Sequence, residues 1–226
     1  MNNGENEEIH GEKEEMHFWD KELSLKGKFT KYIMRRLDPK LRKEDFPEKL
    51  LELSFRSFSG EQPYQVLELG SGPLSTLAYG VDIGLIEVVA IDPLADAYAS
   101  LYKKYNIMNF PIKPIQGAGE ALNISKKFHC AFAINSLDHT TDIVKSFNNL
   151  VMSVRMGGCV ILQHHIKEGS YQRWSESHKW DLDVDNDQLI ANDRNGNKYI
   201  LTTNLKIVFL NVDREKRGIE IVIQKL

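Results

Sequence analysis

The chain has 226 residues, a formal net charge of −3 and two cysteines, enough sequence for one domain with a full core. Its balance of charge lacks the basic excess of a nucleic-acid surface, and no apolar run reaches the ~20 residues of a membrane-spanning helix. The polar, acidic start has no apolar stretch of the secretory kind, and Cys130 and Cys159 fall in apolar strand candidates where reduced core thiols are expected, so a cytoplasmic location is the expectation.

Residues 1–15 are rich in Asn, Gly and Glu and read as a disordered tail, with a single domain expected over 16–226. Phe18, Trp19 and Leu23, then Phe29, Ile33 and Leu37, recur at helical spacing, and Asp38-Pro39 ends that pattern. A second helix is expected within 41–58, so that 16–60 forms a helical cap. The core, 61–165, opens on Val66, Leu67 and Leu69, a short apolar strand. Gly70 and Gly72 follow at once, and a first core helix is predicted over 74–79. Val88-Val89-Ala90-Ile91 make a second strand ending at Asp92, and 95–105 a helix. A third strand is expected at 112–116 and a fourth at 128–134. The amphipathic pattern of 141–156 predicts a helix closed by Gly157-Gly158, with strand five at 159–162. Alternating strands and helices call for a mainly parallel sheet with helices on both faces.

After position 165 the pattern changes. Residues 166–204 hold a polar, aromatic stretch and a hairpin about the turn Asp193-Arg194-Asn195-Gly196. Residues 207–212 and 219–223 alternate and form an antiparallel hairpin, within 205–226, that closes the sheet. The expected architecture is a Rossmann-like, seven-stranded, mostly parallel sheet with an N-terminal helical arm and an antiparallel C-terminal hairpin.

Strand, glycine turn and helix present a small molecule at the carboxyl ends of an open sheet. Glycines allow the sharp turn and a close approach of ligand to backbone. Ser75 stands where a dinucleotide fingerprint has its third glycine. Glu68, two residues before Gly70, would repel a pyrophosphate but suits a cation. Asp92, about 20 residues past the turn, stands where a doubly wound sheet holds ribose hydroxyls. Its structural alternative is a helix cap before Pro93.

Glu68-Leu69-Gly70-Ser71-Gly72 with Asp92 resembles the binding signature of class I S-adenosylmethionine-dependent methyltransferases. More narrowly, Arg36-Leu37-Asp38-Pro39, Asp92-Pro93-Leu94-Ala95-Asp96, Asn135-Ser136-Leu137-Asp138-His139 and His178-Lys179-Trp180 resemble a bacterial group associated with surface-polysaccharide gene clusters. The resemblance implies that S-adenosyl-L-methionine is the cofactor and S-adenosylhomocysteine the product. It implies cofactor contacts at Glu68, Gly70, Ser71, Gly72, Asp92, Pro93, Gly119, Glu120, Asn135 and Arg36. Lys28, Tyr32 and Arg35 share the basic face that would meet the cofactor's carboxylate. Many members carry an acid where Ala118 stands, which leaves Glu120 or backbone groups for adenine. The implied acceptor is a small molecule bearing a hydroxyl or amine: a sugar, sugar nucleotide or capsule precursor.

Methyl transfer from a sulfonium needs position more than a protein nucleophile or a metal. For a hydroxyl acceptor His139 is the first choice of general base, with Asp138 beside it. The alternative is that Asp138 caps the next helix and His139 packs. His164 and His165, adjacent on a strand, point to opposite faces and do not readily chelate one ion. Tyr171, Trp174, His178 and Trp180 are candidates for a substrate lid, or for anchoring their own loop. Two rival functions share the strand, turn and acid: an NAD(P)-dependent oxidoreductase, and a methyltransferase-like binding protein without catalysis.

Overall fold

The computed structural model describes residues 3–175 and 177–226. Seven strands form the main sheet: β1 (Tyr64–Leu69), β2 (Ile86–Asp92), β3 (Ile115–Gln116), β4 (Phe128–Ile134), β5 (Val154–His165) and, after a separate three-stranded sheet, β9 (Lys206–Asp213) and β10 (Gly218–Gln224). Their order is β3-β2-β1-β4-β5-β10-β9. β1 to β5 run parallel, and β10 is antiparallel to both β5 and β9. The direction of winding reverses between β1 and β4, so the crevice beyond their carboxyl ends is where this topology places a ligand.

Strand alternation splits the core in two. Val66, Ala90, Cys130, Phe132 and Ile161 pack on one face with α3 (Glu48–Phe55) and α5 (Ala95–Lys104). Leu67, Leu69, Ala131, Ala133, Val160 and Leu162 pack on the other with α6 (Ile143–Ser153), whose Phe147 and Leu150 are fully buried. Helices therefore cover both faces, as the βαβ pattern requires. The second face is also covered by β6 (Asp181–Asp185), β7 (Gln188–Asn192) and β8 (Lys198–Ile200), which deliver Leu182, Leu189 and Ala191 to it. Cys130 and Cys159 are neighbours across β4 and β5, both buried and both free thiols. Among the described residues, no helix is long and apolar enough to cross a membrane.

The N-terminal arm is α1 (Asn3–Leu23) followed by α2 (Thr30–Leu37). Residues 3–15 are thus helical where composition reads as disorder. Their Glu and Lys are good helix formers, and the helix they extend is held to the core by Trp19 and Leu23. Asp20 ties it to α5, through Lys104 Nζ at 2.6 Å and the Tyr105 hydroxyl at 2.9 Å. The α1–α2 turn closes on the buried Glu22 carboxylate, which accepts from Lys28 and Phe29 N–H at 3.1 and 2.9 Å.

Other boundaries differ for local reasons. Pro47 divides the helix expected over 41–58 into a 3₁₀ turn, Arg42–Asp45, and α3. The first core helix is not at 74–79 but at α4 (Ala78–Asp82). Ser75 Oγ accepts from Leu77 N–H at 3.0 Å and holds the preceding residues in a buried turn. β3 keeps only two of its five expected residues. Asp181–Asp185 is a strand, because two of its acids have partners: Asp181 accepts from Ser170 N–H at 2.7 Å, and Asp183 pairs with Arg214.

Gly157 and Gly158 do not close a helix. They lie inside β5, where register with β4 shifts between the pairs Phe128–Val154 and Cys130–Cys159. A Cβ on Gly158 would stand 2.9 Å from the carbonyl oxygens of both Arg155 and His129. Both are main-chain atoms that cannot swing aside. Gly158→Ala is expected to lower unfolding stability by about 1–3 kcal/mol, read as a lower urea midpoint at an unchanged slope.

Candidate functional site

The turn after β1 is built on two glycines with left-handed backbone, Gly70 at φ +66° and Gly72 at φ +60°. Sterics enforce both. A Cβ on Gly70 would lie 2.2 Å from Ser136 Cβ, and one on Gly72 would lie 2.5 Å from the Trp19 indole. Ser136 Oγ donates to the Leu69 carbonyl at 2.8 Å, fastening the loop after β4 to the turn. Ser71 is buried and donates to the Gly72 carbonyl at 2.9 Å. Asp92, at the tip of β2, accepts from Gly72 N–H on one oxygen and from Leu94 N–H on the other, each at 2.9 Å. Asp92 thus closes the turn ahead of α5, whose N-cap position is Leu94, and is not the helix cap that was the structural alternative. A carboxylate offers about four lone-pair sites; the two amides and the Tyr98 hydroxyl take three, so one remains for a ligand. Burial raises the Asp92 pKa, and those backbone donors only partly oppose it. The Pro93 carbonyl is occupied by the Gln116 amide.

Beneath the turn lies Glu68, 3 % exposed. Burial lifts its pKa from an ordinary 4.5 to about 7, against a hydrogen bond from Ser75 and the charge of Arg36. Its Oε2, Arg36 Nε and Thr76 Oγ1 are buried polar atoms without a hydrogen-bond partner among the described residues. Arg36 itself is held by Nη1 donating to the Leu74 carbonyl at 2.9 Å. Arg36, Thr76, Tyr32, Asn135, His164 and His165 line a cleft of about 550 Å³ at the carboxyl end of the sheet, a size suited to a small molecule. Arg35, by contrast, pairs with Glu44 and Asp45.

Across the crevice, a 3₁₀ turn over Leu137–His139 delivers Asp138, which is fully buried. His164 Nε2 lies 2.9 Å from its Oδ1 and His178 Nδ1 lies 2.5 Å from its Oδ2. His139 Nε2 stands 3.6 Å from Oδ1, and its ring meets the His178 ring edge-on at 4.5 Å. Burial alone would raise the Asp138 pKa, but the three imidazoles outweigh it and hold the acid far below the ordinary range. Burial likewise lowers the His164 and His178 pKa values, and Asp138 reverses both, leaving each raised. Asp138, His139 and His178 offer ligand atoms within 4.8 Å of one another. The 2.5 Å contact is a charge-assisted hydrogen bond, since two atoms on one ion at ~2.1 Å stand roughly 3 Å apart.

The remaining sequence candidates separate. Asn135 sits at the cleft in a left-handed conformation, φ +43°, its Oδ1 accepting from His165 N–H at 2.9 Å. His164 is buried and His165 exposed, on opposite faces of β5. Gly119 is pressed against Ser146 and Leu69, where a Cβ would meet both within 3.0 Å. Glu120 has its Oε1 engaged by Thr141 and Asp142 at the start of α6. Two expected lid residues are elsewhere: Tyr171 is 64 % exposed beneath Arg217, and Trp180 is fixed by its indole N–H to the Thr140 carbonyl at 2.7 Å. That bond makes Trp180 an anchor of its own loop, its apolar ring packed and its N–H satisfied.

Two residues of α1 belong to the site and were not singled out for it by sequence. Trp19 lies over Gly72 and donates to Glu15 Oε1 at 2.9 Å. Glu15 is within electrostatic reach of His139, Asp92 and His178, and burial raises its pKa against those histidines. The only sequence signal was a helical face one turn longer than the apolar residues alone define.

Glu68 yields a pH-dependent prediction. Its folded pKa lies above its unfolded one, so the folded state holds the proton more tightly. That advantage is complete below about pH 4.5 and is lost as pH rises through 7. Glu68→Gln should therefore raise stability at pH 8 by on the order of 3 kcal/mol, with the gap closing below pH 5. Melting temperatures across pH 4.5–8.5 check it, and a constant gap would refute it.

No family model matches the sequence, and no curated protein matches it. Solved structures do. An S-adenosylmethionine-dependent methyltransferase from Clostridium acetobutylicum ATCC 824 aligns at TM-score 0.54 and 14% identity, over 87% of this chain and 96% of that one. The N-methyltransferase NodS from Bradyrhizobium japonicum WM9, in complex with S-adenosyl-L-homocysteine, aligns at TM-score 0.51 and 15% identity, over 82% and 87%. The cyclase SpnF aligns at TM-score 0.54 and 10% identity, over 79% and 80%. At these identities the likeness is one of fold: the chain has the Rossmann-like architecture found in S-adenosylmethionine-dependent methyltransferases.

Proposed function

We propose that this chain is an S-adenosylmethionine-dependent methyltransferase acting on a hydroxyl or amine of a small polar molecule. The observation that carries the reading is a pair of buried acids, Glu68 and Asp92, at the tips of neighbouring strands on either side of a glycine turn. An acid beneath the turn opposes a diphosphate and favours a cation, which sets this site apart from a nicotinamide dinucleotide site. The NodS neighbour, crystallised with S-adenosyl-L-homocysteine, supports the same ligand. SpnF, a cyclase on the same architecture, is the reason the fold by itself does not decide the reaction.

The residues present fit that cofactor. Asp92 keeps one lone-pair site for a ribose hydroxyl beyond its bonds to Gly72, Leu94 and Tyr98, and the Gly119 turn would take the adenine. Glu68 Oε2 and Arg36 Nε, both buried without partners, would meet the ammonium and carboxylate of the methionine portion. The bound cofactor supplies a methyl group on a sulfonium, an electrophile with a neutral leaving group. The protein's share is to orient, to exclude water and to take a proton from the acceptor. The cleft carries Tyr32, Asn135, Gln163, Asn211 and Glu220 beside the apolar Ile134 and Ile219, and those polar members suit a hydroxylated acceptor such as a sugar, sugar nucleotide or capsule precursor.

S-adenosylhomocysteine binding, measured by calorimetry, is expected to weaken at least tenfold in Asp92→Ala, about 1.4 kcal/mol; unchanged affinity would remove the ribose assignment. A larger melting shift with NADH than with S-adenosylhomocysteine would favour the oxidoreductase. A cation beside Glu68 must lower its raised pKa, so binding near pH 7 should release protons and strengthen as pH rises from 6 to 8. Calorimetry in buffers of different ionisation enthalpy reads that release, and Glu68→Gln should abolish it.

A further inference from the structure

His139 was the expected base because it lies just past strand four and carries an imidazole. The hydrogen bonds around Asp138 point to another residue. His164 has both ring nitrogens engaged, Nε2 with Asp138 Oδ1 at 2.9 Å and Nδ1 with the His165 carbonyl at 2.8 Å. A carboxylate and a carbonyl can only accept. Both nitrogens therefore carry hydrogens, and His164 is a buried imidazolium that balances the Asp138 charge.

His178 differs in one respect. Its Nδ1 donates to Asp138 Oδ2 at 2.5 Å, and among the described residues no hydrogen bond engages its Nε2. A carboxylate on Nδ1–H fixes the tautomer whose lone pair is on Nε2. The ring is 21% exposed, against 3% for His164. It faces Glu15 of α1 and the His139 ring, beside the loop that follows β4. Lys179 N–H donates to the Asp138 carbonyl at 2.8 Å, so the His178 segment is pinned at two points. His139 lacks such an orienting bond, since 3.6 Å to Asp138 is beyond hydrogen-bond reach.

We infer that His178, positioned by Asp138, is the general base that takes the acceptor's proton, with His164 as the fixed cation behind it and His139 packed edge-on against its ring. This rests on the methyl-transfer reading above. As the acceptor's lone pair forms its bond to the methyl carbon, its hydrogen passes to His178 Nε2. The electron pair of the breaking carbon–sulfur bond remains on sulfur. The positive charge lost at sulfur reappears on His178, which then releases one proton to solvent. The charged and titratable groups facing His178 are Asp138, Glu168, Glu15 and His139. Burial lowers its pKa, and the hydrogen bond and charge of Asp138, then Glu168 and Glu15, raise it by more. His178 is thus a stronger base than free imidazole.

The test needs no acceptor. Histidine-¹⁵N-labelled full-length protein, with and without S-adenosylhomocysteine, is titrated from pH 5 to 9 by long-range ¹H–¹⁵N correlation. His178 should titrate with Nδ1 protonated and Nε2 bare at high pH, while His164 stays doubly protonated through pH 8. In Asp138→Asn the His178 signals should move toward the Nε2–H tautomer of free imidazole. His178→Gln, at a partly exposed position, assigns the signals should Asp138→Asn fold poorly. Diethylpyrocarbonate at pH 7 should carbethoxylate His178 at least tenfold faster than His164, with S-adenosylhomocysteine altering the rate. A His178 ring carrying its hydrogen on Nε2, or one silent between pH 5 and 9, would overturn the assignment. So would Zn²⁺ at micromolar levels shifting His139 and His178 together, which marks a metal site. Failure to bind S-adenosylhomocysteine, with the tautomers as stated, counts against the methyltransferase reading and not against the dyad.

Discussion

The Asp92 carboxylate accepts from Gly72 N–H across 20 residues of chain. Through that one contact the tip of β2 fixes the turn that leaves β1. Gly70 N–H reinforces it by donating to the Ile91 carbonyl at 2.7 Å, and Ser136 adds the loop after β4. Three strand ends are thereby locked to one turn whose two left-handed residues have no room for a side chain. Such a turn has its amides preset, so a ligand that meets it does not have to order it first. The topology dictates the place, since winding reverses between β1 and β4; the hydrogen bonds dictate the rigidity.

Two of the site's buried acids, Glu68 and Asp138, are held in different states. Asp138 is surrounded by three imidazoles and stays ionised despite full burial. Glu68 has only Ser75 and Arg36 against its desolvation, and half of it is protonated near pH 7. The contrast is physically useful. Asp138 is a permanent charge that orients histidines, and it costs little because its partners are preplaced. Glu68 is an unsatisfied acceptor whose preferred partner is a cation that arrives from outside. An ionisable group left short of partners in an otherwise satisfied core marks a binding position better than its type alone.

Much of this was legible in sequence. β1, β2, β4 and the closing hairpin followed from apolar runs and alternation, and Glu68, Gly70, Gly72 and Asp92 from their spacing. Local pattern failed where partners came from far along the chain. β6 reads as a polar stretch, because Asp181 and Asp183 are satisfied by Ser170 N–H and Arg214. Gly157-Gly158 resembles a helix stop but serves a register shift, set by the backbone of β4. His178 stands 40 residues from Asp138, so nothing short of the fold could pair them. The Glu-rich start of α1 read as disorder because composition carries no sign of the packing that Trp19 and Asp20 provide.

α1 brings the two halves of the site under one element. Its Trp19 lies on the glycine turn, and its Glu15 stands between Asp92 on one side and His139 and His178 on the other. An acid there joins Glu68, Asp92 and Asp138 along the crevice, with the imidazoles and Arg36 as basic groups beside them. The gradient is directional: acids where a cation belongs, a guanidinium where a carboxylate belongs. Trp19 covers the same Gly72 that a ligand would approach, so α1 sits directly on the turn. Among the described side chains of α1, Met16, Trp19 and Leu23 pack into the core, and Phe18 packs edge-on against Trp19 and Phe29.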